Sequence, residues 1–185
     1  MKIEIKRVTD WQRVVDAARF TQGKEPLGHE PSDEFKKQMI LSEHSPLREL
    51  EFDIKMYGIP YWVSNHFVRH VHAQPFVSTS RPDITGSKVS RHDMRQDDLV
   101  NLQLSLNAQE IINISKLRLC SKAARETREW CLTSWFILSL TLHSLAFLSV
   151  YTEDSALSRS HVEEVLILHL KESEKSIKNS ISKCR

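Results

Sequence analysis

Residues 49–70 read ELEFDIKMYGIPYWVSNHFVRH, and two periodicities follow one another inside this stretch. From Glu49 to Tyr57 the residues alternate, with Leu50, Phe52, Ile54 and Met56 on one side and Glu49, Glu51, Asp53 and Lys55 on the other. A period of two sends successive side chains to opposite faces, so this is a strand with one wet face. Gly58 and Pro60 are expected to end it. Beyond them Trp62, Val63, His66, Phe67 and His70 recur at helical spacing.

Upstream, residues 2–8 alternate in the same way and predict a short first strand. Asp10 is a suitable N-cap for a helix carrying Val14, Val15, Ala18 and Phe20, and Gly23, Pro26, Gly28 and Pro31 mark a loop over 21–31. Ser32 followed by Asp33 and Glu34 starts a second helix that runs through Met39 and Leu41. Downstream, the polar stretch 78–98 reads as a loop. The apolar residues Leu102, Leu104, Leu106, Ile111, Ile112, Ile114, Leu117 and Leu119 then fit a period near 3.6 and predict one long helix reaching 125–129. The tail from Asp154 is a Lys/Ser-rich amphipathic segment around Val162, Val165, Leu166 and Leu170. This order of elements predicts an α+β fold in a single domain.

Composition narrows the function. A chain of 185 residues that is 40% apolar and 27% charged is long enough for one real core and too short for two. It contains no GxGxxG and no GxxxxGK[ST], so a nucleotide would be held by side chains rather than by loop amides. The net charge of +2 gives no ground for nucleic-acid binding. Cys120, Cys131 and Cys184 are odd in number and form no CxxC pair, which fits a reducing cytoplasm and neither a disulfide framework nor a structural zinc site. From Trp130 to Thr152 no Asp, Glu, Lys or Arg occurs. A run of that length can span a bilayer, but His143 and four serines dilute it, and a buried or oligomer-packing helix is the expected reading.

Two clusters can carry chemistry. In the first, Arg69 and Arg81 flank a segment able to fold back, so that both guanidiniums meet one anion, with Ser78, Thr79 and Ser80 as hydroxyl donors. The bland alternative is two solvated arginines. In the second, Asn107, Asn113 and Arg118 lie within about four turns of an apolar helix, where an amide must find a partner, in a ligand or in nearby backbone. His66, His70 and His72 are spaced for a metal, but no carboxylate stands at the right offset, and no metal site is expected. Cys120 and Cys131 sit in apolar helical contexts that would raise a thiol pKa, so neither is expected to act as a nucleophile.

Taken in order, these clusters resemble the flavin-dependent thymidylate synthases, whose signature is RHRxxSxNExSxRY, preceded by a segment of the type S/TPxEH. Here Ser45-Pro46-Leu47-Arg48 leads into the strand, Arg69-His70 opens the signature, and Arg81 falls at its second arginine. The family's later helix, NAxxxxNxxxLRxxxxAQxEI, is matched by Asn107-Ala108, Asn113, Leu117-Arg118 and Ala123 to Thr127. Departures are Arg48, Val71, Gln74, Phe76, Val77, Thr79, Pro82 and Ala124, and His66 stands where the family has Gln. The resemblance covers roughly residues 1–130; residues 131–185 form a diverged helical tail.

The resemblance implies a small antiparallel sheet with long helices, assembled as a homotetramer with sites between subunits. It implies FAD as cofactor, with NADPH and methylenetetrahydrofolate as co-substrates, and reductive methylation of dUMP to dTMP in the cytoplasm. Carried over by position, Ser45, Arg69, His70, Asn107 and Asn113 would contact FAD, while His66, Arg81 and Arg118 would hold dUMP or a related pyrimidine nucleotide. No protein nucleophile is implied, because the flavin supplies the hydride and the protein supplies orientation and charge. Val71 and Val77 remove contacts of the family pattern. Two other readings therefore stand beside the enzyme: a flavin- or nucleotide-binding relative without turnover, and a small membrane-associated protein anchored by 130–152.

Overall fold

The computed structural model describes residues 2–120 and 122–141, apart from the side chains of Arg91 and of residues 135–141. Its strands are β1 (Lys2–Arg7), β2 (Glu51–Pro60), β3 (Gln74–Val77) and β4 (Leu99–Asn107). Its helices are α1 (Trp11–Phe20), α2 (Asp33–Leu41), α3 (Tyr61–Phe67), the single turn α4 (Pro82–Thr85), α5 (Ala108–Arg118) and α6 (Arg125–Thr141). The fold is α+β, as expected.

The strands form one antiparallel sheet in the order β1-β2-β4-β3. Opposite Phe52, Ile54 and Met56 of β2 stand Leu106, Leu104 and Leu102 of β4. All six are buried. Residues i and i+2 share a face, so this register makes one continuous apolar sheet surface, and the helices cover it. Each of these side chains gains about 1.5–3 kcal/mol over an exposed position. Trp11, Val14, Ile40, Leu47, Ile112 and Trp130 complete the core from the helical side.

Four expectations are corrected. Leu102, Leu104 and Leu106 belong to a strand, not to the start of a helix. Alternation of period two, rather than the 3.6 period of the residues after Asn107, is the decisive pattern there. The single long helix is divided: α5 ends at Arg118, Leu119 turns into the core, and α6 begins at Arg125. Gly58 does not end β2. With φ +66 it absorbs a register shift between Met56 and Ile59, and Ile59 returns fully to the core. Phe20 is exposed, because a residue two positions after Ala18 falls off the buried stripe of α1. In addition, α4 lies within the polar stretch 78–98 expected to be loop, and β3 forms immediately before it.

The buried-helix reading of the uncharged run agrees with Trp130, Cys131 and Leu132, which lie in the core. No helix among the described residues is long and apolar enough to cross a membrane. The rest of that run, 142–152, and the tail from Asp154 lie outside the described residues.

Candidate functional site

Asn107 ends β4 and starts α5. Its Oδ1 accepts from the Glu110 amide at 2.9 Å, an N-cap that fixes the helix start and hence the direction in which α5 projects its side chains. About three turns on, Arg118 closes the helix facing the end of α3. Its Nε–H donates to His70 Nε2 at 3.2 Å and its Nη2–H to the His66 carbonyl at 2.7 Å. One edge of the guanidinium is thus held by the protein. The N–H groups of the other edge remain, in a planar fork suited to a carboxylate, a phosphate or an imide edge.

His70 is buried and lies between Arg118 and Glu110, with Nδ1 3.7 Å from Glu110 Oε1. The other Glu110 oxygen accepts from Asn113 Nδ2 at 3.1 Å. Asn113 Oδ1 accepts from Gln109 at 3.4 Å, and Gln109 donates at 2.8 Å to Glu43, which also pairs with Lys116. Glu43 has φ +47, an uncommon conformation for a residue with a side chain, held here by contacts from α5. Burial works to raise its carboxyl pKa, but the hydrogen bonds from Lys116 and Gln109 carry it below the ordinary value. The turn that bears Ser45 (Ser45–Glu49) is thereby fastened to α5.

His66 Nδ1 lies 2.7 Å from Thr127 Oγ1 of α6, and the His66 ring meets Trp62 edge-on at 5.5 Å. A hydroxyl on a histidine has the outward form of an activated nucleophile, but Thr127 is fully buried and the pair reads as a structural tie between α3 and α6. Burial, then the positive charges of Arg118 and Arg69, hold His66 below the ordinary histidine pKa. Burial and Arg118 do the same to His70, opposed by Glu110. Arg118 is itself lowered by burial and by the neighbouring charge of Arg69. These two guanidiniums, neither paired with a carboxylate among the described residues, make an electropositive locus that an anion would offset.

Of the expected site residues, the structure gathers His66, His70, Asn113 and Arg118 into one connected network, with Arg69 beside it. Asn107 borders this network as the helix cap. Arg81 stands apart in its bonding: its Nε and Nη2 pair with Asp83 at 3.1 and 2.5 Å, whereas Arg69 is the arginine whose charge acts on Arg118. Sequence reasoning missed Glu110, Gln109, Glu43, Lys116 and Thr127. Glu110 was legible: a carboxyl group among Ile111, Ile112 and Ile114, three residues before Asn113, neighbours that amide on the helix surface and needs a partner of its own. Thr127 and Glu43 were not, because their partners lie 61, 66 and 73 residues away.

No nucleophile is prepared at Cys131, whose thiol is pushed up to about 12 by burial, or at Ser115, whose hydroxyl donates to the Ile111 carbonyl at 2.8 Å. Among the described residues no group of His, Cys, Asp and Glu is arranged to hold a metal ion. Two surface pockets, of about 250 and 400 Å³, lie nearby: Tyr61, Ser78 and Arg95 line the first, and Asp53, His72 and the cap residue Asn107 line the second. Arg69, His70 and Arg118 line neither.

No family model and no curated protein sequence matches this chain significantly. Solved structures do. The flavin-dependent thymidylate synthase ThyX from Helicobacter pylori, complexed with FAD and dUMP, matches with a TM-score of 0.67 at 16% identity, over 80% of this chain and 98% of that one. A second structure of the Helicobacter pylori enzyme with FAD and dUMP gives 0.58 at 15% identity, over 74% and 92%. The UMP/dUMP methylase PolB from Streptomyces cacaoi, bound with 5-Br dUMP, gives 0.62 at 13% identity, over 82% and 95%. At such identities the likeness concerns the backbone, and this chain has the fold of the flavin-dependent thymidylate synthases.

Proposed function

We propose that this protein is a flavin-dependent nucleotide methylase that converts dUMP to dTMP, with FAD as cofactor and methylenetetrahydrofolate and NADPH as co-substrates. The observation that carries the reading is the Arg118 guanidinium, fixed on one edge by His70 and His66 and beside a second guanidinium, in a fold whose solved examples hold dUMP or its bromo analogue. A pyrimidine nucleotide offers the matching chemistry: a phosphate dianion and a uracil edge that accepts hydrogen bonds.

The donors also fit a flavin dinucleotide. Arg69 is exposed and without a carboxylate partner among the described residues, the Ser45 residue is exposed, and Asn107 spends its oxygen on the cap while its amide NH₂ keeps no partner among them. Such groups suit pyrophosphate and ring carbonyl oxygens. When bound, the flavin supplies the hydride chemistry. The chain's own residues bind and orient: Arg69 and Arg118 neutralise anionic oxygens, and Asn113 and Glu110 hold His70 in place. Arg69 is exposed rather than enclosed, which supports completion of the site by another copy of the chain in a homotetramer.

The test is turnover: protein supplied with FAD, NADPH, methylenetetrahydrofolate and dUMP should form dTMP, separable from dUMP by chromatography. A second reading, binding without turnover, is favoured by one observation. Val71, where the family signature has the third residue of RHR, is 86% exposed and adds no polar group to the site. Uptake of FAD and dUMP without dTMP would decide for it.

A further inference from the structure

Glu110 is only 4% exposed, inside an apolar helix, and glutamate is rarely buried so fully without a task or a partner. It stands at the third position of α5, where a glutamate ordinarily turns back to the N-cap amide. Here its two oxygens face His70 Nδ1 and Asn113 Nδ2 instead.

The direction of one hydrogen bond settles the rest. A guanidinium only donates, so the contact of Arg118 Nε–H with His70 Nε2 requires Nε2 to accept. The ring proton is then on Nδ1, the nitrogen that faces the Glu110 carboxyl group. The opposite tautomer would aim two N–H groups at each other on the Arg118 side and leave Nδ1, an acceptor, facing an acceptor on the Glu110 side. We infer that Glu110 is a positioning residue: by facing His70 Nδ1–H it keeps Nε2 free to accept from Arg118, and so aims the outer edge of the Arg118 guanidinium at the ligand. The ligand arm of this inference rests on the nucleotide reading above; the tautomer arm does not.

Two variants separate positioning from mere support. Glu110→Gln keeps an acceptor for Nδ1–H, whereas Glu110→Met keeps volume and removes the acceptor. Removing the carboxyl group leaves the buried His70 Nδ1–H and the Asn113 amide without their acceptor, so Glu110→Met is expected to be the less stable of the two. The expected result is a wild-type-like melting temperature in Glu110→Gln and a lower one in Glu110→Met, with dUMP affinity, measured well below either melting temperature, near wild type in Glu110→Gln and weakened roughly tenfold in Glu110→Met, the scale on which supporting partners of metal-bound histidines act. The histidine ¹⁵N spectrum, with His70 assigned by its loss in His70→Gln, should show Nδ1 protonated and Nε2 bare in the wild type and in Glu110→Gln, with that pattern lost in Glu110→Met. A wild-type His70 carrying its proton on Nε2 would overturn the inference, even if Glu110→Met failed to fold. So would unchanged dUMP affinity and unchanged His70 nitrogens in Glu110→Met. Should the wild type bind no dUMP, the nucleotide reading falls while the nitrogen spectrum still decides the role of Glu110.

Discussion

Arg118 and His70 come from opposite sides of the site, one closing α5 and the other following α3, and they meet through a 3.2 Å Nε–H···Nε2 hydrogen bond. The contact spans 48 residues of sequence, and it requires a neutral imidazole, because a protonated one offers no acceptor.

A pH dependence follows. Burial, reinforced by Arg118, holds both His66 and His70 below the ordinary histidine value, with Arg69 adding to the effect on His66 and Glu110 opposing it on His70. Below about pH 6.5 the unfolded chain therefore binds more protons at these positions than the folded one. Their stabilising contribution is complete above that pH and is lost as pH falls through the window beneath it. The melting temperature should drop between about pH 7 and pH 5.5, and His70→Gln should flatten that slope. An equal slope in the variant would remove His70 from the account.

Strand β4 makes a positional prediction. Leu102, Leu104 and Leu106 all face the core, so each change to Ala should cost about 2–5 kcal/mol in urea unfolding. Gln103→Ala, on the open face, should stay within about 0.5 kcal/mol. A helix would instead separate Leu104 from Leu102 and Leu106. A small cost at Leu104 alone would contradict the register.

Ligand affinity should divide the arginines. Arg118→Ala should weaken dUMP binding by about 1.5–3 kcal/mol, the scale of a charge-assisted hydrogen bond, as read by calorimetric titration. Arg69→Ala should lower FAD occupancy in the purified protein. An unchanged dissociation constant in the first variant would rule out the assigned role.

The thiols offer a chemical check on burial. Cys131 is buried and its pKa is pushed up to about 12, while Cys120 is exposed. Brief alkylation of the native protein followed by peptide mapping should find Cys120 modified and Cys131 intact until denaturant is added. Early modification of Cys131 would place α6 differently against the core.

Much of the fold was legible because it is written in local period. The alternation of 2–7 and 51–57, the caps Asp10 and Ser32, and the helical spacing after Asn107 each report one element without reference to any other. The strand at Leu102 was misread because three alternating leucines run into helical spacing without a break, and a window spanning both finds a compromise period. In the site, the sequence indicated His66, His70, Asn113 and Arg118. It did not indicate Thr127 or Glu43, whose partners are set by how α6 and the 43–49 segment pack. Nor did it show that Arg81 pairs with Asp83, two residues away, a matter of side-chain geometry that spacing leaves undetermined.

The most direct measurement is the visible absorption spectrum of the protein reconstituted with FAD, recorded before and after dUMP is added. The account predicts that flavin is retained through gel filtration, that dUMP shifts its bands, and that Arg118→Ala keeps the flavin but loses the shift. A protein that takes up no flavin, or a bound flavin blind to dUMP, would contradict the claim that this fold holds a flavin and a pyrimidine nucleotide in contact.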